Sequence, residues 1–328
     1  MIINAAELKR RNLLRLAGVR DKKIYIGPKI VVLKINNSCN LRCRYCWVHS
    51  PGNPAHLEPA RQVSWEEFLS VAHDSVELKV DEFEITGGEP TMHPLFRDMM
   101  RHLEQQPIKV KVFTNATFPL DYCEDVLKAD HIIVDLGAVN RQQYLAIHGK
   151  DVFDRVIDNI KRLVSLRDAG KPSFIIEIAY IMNALNINEA DLMQDLASKL
   201  DVNSIYYTRV SLNEYNREMA LPATIMSGPQ DAGKETPPAC LNGWFNMIVR
   251  FDGNFSICCQ INRMRFCDFG TMSLKAVWLS KRMMNMRLLG KYGQIQKMFK
   301  GCHPCPFYKD NMKRLRALAR QDNKKINP

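Results

Sequence analysis

The stretch IVVLKINNSCNLRCRYC, residues 30–46, joins a strand to a cysteine-rich loop and decides how the rest of the chain is interpreted. Its first six residues are aliphatic or β-branched apart from Lys34, a composition that predicts a short buried strand. The loop that follows places three thiols, Cys39, Cys43 and Cys46, within eight residues. Such a loop can wrap three corners of an iron–sulfur cubane, which would leave one iron open.

Zinc is the other metal that this loop could hold. Structural zinc sites are closed by four ligands, and the nearby His49 is a weak candidate for the fourth. Spacing alone therefore leaves an iron–sulfur cluster and a zinc ion both open.

Length and composition are those of a large globular protein. The chain has 328 residues, of which 46% are hydrophobic and 25% charged, enough for one large α/β domain and a smaller module. No apolar run approaches the roughly 20 residues that span a bilayer, and Met1–Arg20 favours an amphipathic helix over a secretory signal. Ten cysteines without such a signal favour metal or redox chemistry over disulfides. We therefore expect a cytoplasmic protein.

Strand-like and helical patterns alternate after the first strand. Ser64 opens a capping box that predicts a helix to about Lys79, and Phe153–Arg167 repeats apolar residues at helical spacing. Such alternation implies parallel pairing, and six units predict a partial (β/α)6 TIM-like barrel with its chemistry at the carboxyl ends of the strands. The other predicted strands are Glu82–Thr86, Lys109–Phe113, His131–Leu136, Phe174–Ile181 and Ser204–Arg209.

The composition changes after the sixth predicted strand. Residues 221–238 are dense in Pro and Gly, which suggests a linker, and a cysteine-rich module begins near Cys240. That module contains a hairpin-like segment, Val249–Ile257, with Asp-Gly-Asn as its turn. The predicted segments are a helical extension (1–25), the barrel (26–220), the linker (221–238), the cysteine-rich module (239–308) and a basic helix or tail (309–328).

A second motif follows the second predicted strand, about forty residues beyond the thiols: Thr86-Gly87-Gly88-Glu89-Pro90. Together with the CxxxCxxC spacing and the aromatic Tyr45 before the last cysteine, this segment resembles the radical S-adenosylmethionine (SAM) superfamily. The resemblance implies that the loop thiols hold a [4Fe-4S] cluster whose open iron binds SAM. It also implies that Tyr45, Gly87, Gly88, Glu89 and Pro90 belong to the SAM site.

Three softer matches extend this resemblance. Thr114-Asn115-Ala116 resembles the family's TNG segment, although Ala116 replaces its glycine. Asp135 and Asn183 occupy places where family members contact the ribose and methionyl groups of SAM. Asn115, Asp135 and Asn183 are therefore expected to bind SAM, although each could equally be a strand-end cap or turn residue.

The resemblance also implies the reaction chemistry. An electron from the reduced cluster cleaves SAM to methionine and a 5′-deoxyadenosyl radical, which abstracts a hydrogen atom from the substrate. The electron would come from an external reductant such as flavodoxin or ferredoxin.

A second set of cysteines, Cys240, Cys258, Cys302 and Cys305, lies in the C-terminal module. Four thiols could close either a zinc site or a cluster. The set resembles the twitch and SPASM modules of radical SAM enzymes, and its single late CxxC matches the shorter twitch type, as in antibiotic-pathway aminocyclitol dehydrogenases. The resemblance covers roughly residues 30–308 and implies one auxiliary [4Fe-4S] cluster.

Three cysteines remain outside these sets: Cys123, Cys259 and Cys267. Each is expected to be a buried small residue, which is common for free cysteines. The sharper hypothesis is that Cys267 returns a hydrogen atom to a substrate radical, as a cysteine does in radical SAM epimerases.

The leading reaction is net oxidation, because an auxiliary cluster can accept an electron from a carbon radical. Epimerisation is the first alternative. Modification of a peptide is the second, and it would need a separate recognition partner because only some 25 residues precede the first strand. A zinc-binding structural protein is a distant third.

Charge is concentrated in the C-terminal segment. The net charge is +11, and from Lys275 onward fourteen Lys or Arg residues face only Asp310 and Asp322. This excess suggests a phosphorylated, nucleotide-linked or sugar-like metabolite rather than nucleic acid, because the tail has no aromatics beyond Phe307 and Tyr308 to stack on bases. Arg209, at the end of the sixth predicted strand, could bind such a substrate or form a structural ion pair.

Overall fold

Six strands pair in parallel in the computed structural model of the chain, each beside its neighbour in sequence. The structure describes residues 3–222, 238–258, 272–294, 305 and 308–326. Consecutive parallel strands joined by helices are the expected partial barrel, so the predicted fold is confirmed. The strands are β1 (Ile30–Lys34), β2 (Glu82–Thr86), β3 (Lys109–Thr114), β4 (His131–Asp135), β5 (Ile175–Met182) and β6 (Ser204–Arg209).

Side chains alternate between two environments along these strands. In β1, Val31 and Leu33 are fully buried, whereas Ile30, Val32 and Lys34 are half-buried. On β5 the fully buried Tyr180 lies opposite Tyr207 of β6, and Tyr207 donates a hydrogen bond to the carbonyl of Ala190, 3.3 Å away at the start of the helix that precedes β6. The fully buried alternate positions therefore face the helices, and the half-buried ones line the barrel interior.

One helix begins at the capping box that the sequence predicts. The Ser64 side chain accepts from the Glu67 amide, and the Glu67 carboxylate accepts from the Ser64 amide, so the predicted capping box is confirmed. The helices are α1 (Ala5–Asp21), α2 (Trp65–Glu77), α3 (Phe96–Glu104), α4 (Cys123–Val126), α5 (Arg141–His148), α6 (Phe153–Gly170), α7 (Ala190–Leu200), α8 (Asn242–Phe245), α9 (Leu274–Leu279), α10 (Lys281–Lys291) and α11 (Tyr308–Ile326).

The predicted hairpin forms, and it joins the barrel sheet. Strand β7 (Asn246–Val249) pairs in parallel with β1, and β8 (Phe255–Ser256) pairs antiparallel with β7. The turn closes through a hydrogen bond from the Arg250 amide to the Asn254 carbonyl, 3.0 Å, with Gly253 at a φ of +77°. The C-terminal module therefore extends the sheet along the free edge of β1.

Both ends of the chain pack on this module. Leu16 and Val19 of α1 form a buried cluster with Leu241, Trp244 and Phe245. Leu315 and Leu318 of α11 cover the same cluster. The basic C-terminal segment thus contains a packed helix with an apolar side.

The proposed linker, 221–238, lies mostly outside the described residues, and the segment boundaries stay predictions. None of the helices in the described part of the chain is both long enough and apolar enough to cross a membrane.

Candidate functional site

The three loop thiols lie together just after β1. Cys43 is buried, and Cys39 and Cys46 are half-buried. Burial raises the pKa of Cys39 to about 12 and that of Cys43 well above its ordinary value, and the neighbouring thiols add to both shifts. The sulfurs are therefore within electrostatic reach of one another, and a metal that binds thiolates would offset the cost of their charges.

Backbone amides point at two of these sulfurs. The Leu41 amide lies 3.5 Å from Cys39 Sγ, and the His49 amide lies 3.3 Å from Cys46 Sγ. Three thiols on one loop with N–H groups directed at their sulfurs fit the ligand set of an iron–sulfur cluster.

The glycine pair allows two loops to pack backbone against backbone. A Cβ on Gly87 would lie 2.6 Å from Asn36 Oδ1, and one on Gly88 would lie 2.1 Å from the Ser38 carbonyl oxygen. The Glu89 amide donates to that same Ser38 carbonyl, 2.7 Å away. The glycines thus bring the Gly-Gly-Glu segment against the start of the cysteine loop.

Glu89 ties this segment to the next strand. Its carboxylate is buried and accepts hydrogen bonds from the Thr91 and Thr114 hydroxyls, both 2.6 Å, and from the Asn115 amide, 2.8 Å. Pro90 is buried at the start of a 3-10 turn, Pro90–Met92. These contacts fix the loops after β2 and β3 relative to each other.

The Thr-Asn-Ala segment is held in turn by the cysteine loop. Asn115 donates to Asn40 Oδ1, 3.0 Å away, and its Nδ2 lies 3.9 Å from Cys39 Sγ. Ala116 has a φ of +53°, so it keeps a left-handed conformation in which glycine would be less strained. The position that departs from the family's glycine therefore keeps a backbone conformation that favours glycine.

Asp135, at the carboxyl end of β4, lies beside the cysteine loop. Tyr45 donates its hydroxyl to Asp135 Oδ2, 2.6 Å away, and the ligand atoms of Cys43, Asp135 and His148 lie within 4.8 Å of one another. Within the described part of the chain, Asp135 Oδ1 is buried without a hydrogen-bond partner, and burial raises the pKa of this carboxyl to about 6. A buried acceptor with no donor is what a ribose hydroxyl of SAM could satisfy.

Asn183 and Arg209 are placed differently from the residues above. Asn183 is fully buried, and its side chain bonds within its own turn, to the Ile181 carbonyl and the Leu185 amide. Strand alternation puts Arg209 on the same face as Tyr207, the helix side of the sheet. Arg209 therefore lies on the opposite face from the barrel interior, and the roles of Arg209 and Asn183 both stay predictions.

Three of the four C-terminal thiols lie in the described part of the chain: Cys240, Cys258 and Cys305. Burial raises the pKa of Cys240, and Cys305 adds to that rise, so these two sulfurs are neighbours. Cys302, Cys259 and Cys267 lie outside the described residues.

The cysteine loop lies toward one end of the sheet, and the described thiols Cys240 and Cys258 lie toward the other. The cysteine loop follows the carboxyl end of β1, whereas Asn246 pairs with Ile30 at its amino end. Cys240 precedes β7, and Cys258 follows β8, which runs back toward that amino end.

A polar layer lines the barrel interior, and sequence reasoning missed it. Lys111 Nζ lies 2.7 Å from Glu82 Oε1 and 3.5 Å from Glu84 Oε1, and His131 Nε2 lies 3.4 Å from Glu177 Oε2. These polar residues alternate with buried residues along β2 and β3, and that alternation is the sequence pattern from which the layer could have been predicted.

Cys123 is fully buried, with its sulfur 3.9 Å from the Asn159 carbonyl. This is the packing role expected of it.

Comparison with known proteins supports this arrangement at the level of families. A family model of the radical SAM superfamily matches residues 33–197, half of the chain, and a model of the SPASM iron–sulfur cluster-binding domain matches residues 240–306.

Curated relatives match the barrel part. A probable GTP 3′,8-cyclase of Saccharolobus solfataricus is 29% identical over 177 residues, 53% of this chain and 54% of that protein. A probable GTP 3′,8-cyclase of Pyrococcus abyssi is 28% identical over 136 residues, 41% of this chain and 43% of its own length. The chain spans about half the length of the curated relatives it matches.

Solved structures share the fold at low identity. SuiB of Streptococcus suis bound to S-adenosylmethionine has a TM-score of 0.66 and 14% identity, covering 83% of this chain and 70% of SuiB. anSMEcpe with bound AdoMet has a TM-score of 0.57 and 14% identity, covering 80% of each chain. Half of the chain matches one family model along its barrel, so the protein belongs to the radical SAM superfamily and carries a SPASM-type iron–sulfur module.

Proposed function

We propose that this enzyme oxidises a carbon of a small polar metabolite through a SAM-derived radical. The observation that carries the proposal is the polar interior, with one set of thiols toward each end of the sheet. A substrate inside the barrel would then lie between the two sites.

In this proposal Cys39, Cys43 and Cys46 hold the SAM cluster, and Cys240, Cys258, Cys302 and Cys305 hold the auxiliary cluster. When bound, the first cluster supplies the electron that cleaves SAM and the second supplies an electron acceptor.

The residues of the chain position SAM. Asp135 accepts from the ribose through its unpartnered Oδ1, while Tyr45 holds the other oxygen and so fixes the carboxylate rotamer. Gly87, Gly88 and Glu89 present their backbone to the amino group, in a segment held by Ser38 and Asn36.

The interior favours a hydroxyl-rich substrate. Hydroxyl groups can donate to Glu84 and Glu177 and accept from Lys111, and these side chains are 14%, 19% and 16% exposed, which leaves them accessible from inside the barrel. This supports a sugar-like metabolite, while the basic C-terminal segment remains the argument for an anionic one.

Two other reactions have specific support. Relatives named as probable GTP 3′,8-cyclases favour a nucleotide substrate, although they match only part of the chain. SuiB has been solved with its precursor peptide, which favours peptide modification. Epimerisation depends on Cys267, which lies outside the described residues.

The test uses the reduced, cluster-loaded enzyme in deuterated water with sugar-like, nucleotide and peptide substrates. Oxidation predicts 5′-deoxyadenosine together with a product lighter by two hydrogens and free of deuterium. An inverted, deuterium-labelled carbon would establish epimerisation instead.

A matched variant tests the electron acceptor. Cys258→Ala should still form 5′-deoxyadenosine carrying a substrate hydrogen but should lose the oxidised product. Undiminished oxidation by this variant would contradict the proposed role of the C-terminal thiols.

A further inference from the structure

One histidine ring lies against a cluster thiol. His148, the last residue of α5, is fully buried, and its Nδ1 lies 3.1 Å from Cys43 Sγ. No sequence motif marks this residue, because it lies 105 positions from Cys43.

Two aromatic rings fix the orientation of His148. Tyr144 stacks on it with centroids 4.2 Å apart and planes at 23°, and Tyr45 meets it edge-on at 5.7 Å. A ring held on two sides cannot swing away from the sulfur at low cost.

The backbone of α5 holds the same loop. The Arg42 amide donates to the His148 carbonyl, 3.2 Å, and the Arg44 amide donates to the Ile147 carbonyl, 2.8 Å. Gly149, with a φ of +73°, ends the helix and lets the Arg42 backbone approach closely. The end of α5 therefore fixes both neighbours of Cys43 along the chain.

We propose that His148 Nδ1–H donates a hydrogen bond to the Cys43 thiolate and raises the reduction potential of the SAM cluster. A thiolate bound to iron can only accept, so this hydrogen bond requires the ring proton on Nδ1, and the Leu136 carbonyl is the acceptor that competes for that proton. Hydrogen bonds to ligand sulfurs withdraw electron density and are one of the means by which proteins tune cluster potentials. Cys39 and Cys46 accept from backbone amides, and Cys39 also from Asn115 Nδ2 at 3.9 Å, whereas the donor to Cys43 is a histidine side chain at 3.1 Å that a mutation can remove. His148 is thus a positioning residue that acts through Cys43.

This inference rests on the assignment of the three loop thiols to the SAM cluster. Two observations test that assignment separately: the wild-type signal in electron paramagnetic resonance must change when SAM is added, and Cys43→Ala must lose that SAM-responsive signal. If either observation fails, the assignment of the thiols to the SAM cluster is wrong, independently of the role of His148.

The test of His148 is a redox titration of the SAM-responsive signal in three loaded variants. His148→Leu removes the donor, His148→Asn keeps an N–H near the position of Nδ1, and His148→Gln places its N–H near the position of Nε2. We expect the reduced-to-oxidised ratio at a fixed potential to fall about tenfold in the Leu and Gln variants, which is ~59 mV for one electron, and to stay near wild type in the Asn variant.

A midpoint unchanged in the Leu variant would overturn the proposal. If the Leu variant does not load a cluster, the Asn and Gln variants decide. A wild-type midpoint potential in the Asn variant with a lowered one in the Gln variant supports the proposal, and equal midpoint potentials in the two variants overturn it. A role confined to packing would alter iron content without this ordering of potentials.

Discussion

Gly88 shows how the site depends on single atoms. Its backbone lies so close to the cysteine loop that a methyl group would overlap the Ser38 carbonyl, and the Glu89 amide bonds to that same oxygen. At this scale the candidate SAM site is two loops that meet through their backbones and the Asn36 side chain.

Gly88→Ala should therefore damage the cluster loop. Relieving a 2.1 Å contact requires the loops to separate, with an expected loss of about 1–3 kcal/mol in unfolding free energy and a clear loss of iron per chain. Gly52→Ala is the matched control, because a Cβ there would meet no atom within 4 Å. Equal iron content in the two variants would contradict this reading.

At Ala116 we expect the opposite result, a substitution that leaves stability nearly unchanged. Glycine there would relieve the left-handed φ of +53°, a strain of about 1–2 kcal/mol. This gain offsets two losses, the packing of the methyl group and the greater conformational entropy of glycine in the unfolded chain. Ala116→Gly should thus be near neutral by chemical denaturation. Ala72→Gly, equally buried but inside α2, should cost about 1 kcal/mol. A similar cost at both positions would show that the turn is unstrained.

At the scale of elements, α1 is fixed to the barrel by a buried ion pair. Arg15 Nη1 lies 2.6 Å from Asp81 Oδ2, and the same guanidinium donates to the Gly27 and Pro28 carbonyls, 3.0 and 3.1 Å away. The pair connects the N-terminal helix to the residue just before β2.

Asp81→Asn should destabilise the protein strongly, because it leaves the Arg15 charge buried without its counter-ion. We expect a loss of about 3–5 kcal/mol in unfolding free energy by urea titration. Asp21→Asn removes the more exposed partner of Arg20 and should cost less than about 1 kcal/mol. Comparable losses would mean that the Arg15 pair adds nothing beyond a surface contact.

The barrel interior makes stability depend on pH. Burial raises the pKa of Glu84 from 4.5 to about 7, so between these values the folded protein binds more protons than the unfolded chain and stability falls as pH rises. Glu84→Gln should match wild type near pH 4 and exceed its stability by roughly 2–3 kcal/mol above pH 7. A difference independent of pH, measured by urea unfolding across this range, would contradict the assignment.

Much at this scale could be predicted from the sequence, because it depends on local patterns. The alternation of apolar runs predicted the six barrel strands, and Ser64 with Glu67 predicted the start of α2. The pairing of β7 with β1 and the contact of His148 with Cys43 could not be predicted. They depend on contacts between segments that are distant in the sequence, and local sequence patterns do not predict such contacts.

At the scale of the whole molecule, one sheet connects the two cysteine sets. Because β7 pairs with β1, the module that carries Cys240 and Cys258 is part of the same sheet as the cysteine loop. Helices α1 and α11 then cover the module from outside. The two sites are thus built as one body, which fits a reaction that uses both.

The central claim is that this chain cleaves SAM at a cluster held by Cys39, Cys43 and Cys46 and carries a second cluster in its C-terminal module. Anaerobic reconstitution followed by reduction with SAM tests it directly. We expect about eight iron and eight sulfide atoms per chain, four for each cluster, and release of 5′-deoxyadenosine that Cys43→Ala abolishes. Two zinc ions per chain and no SAM cleavage would contradict it.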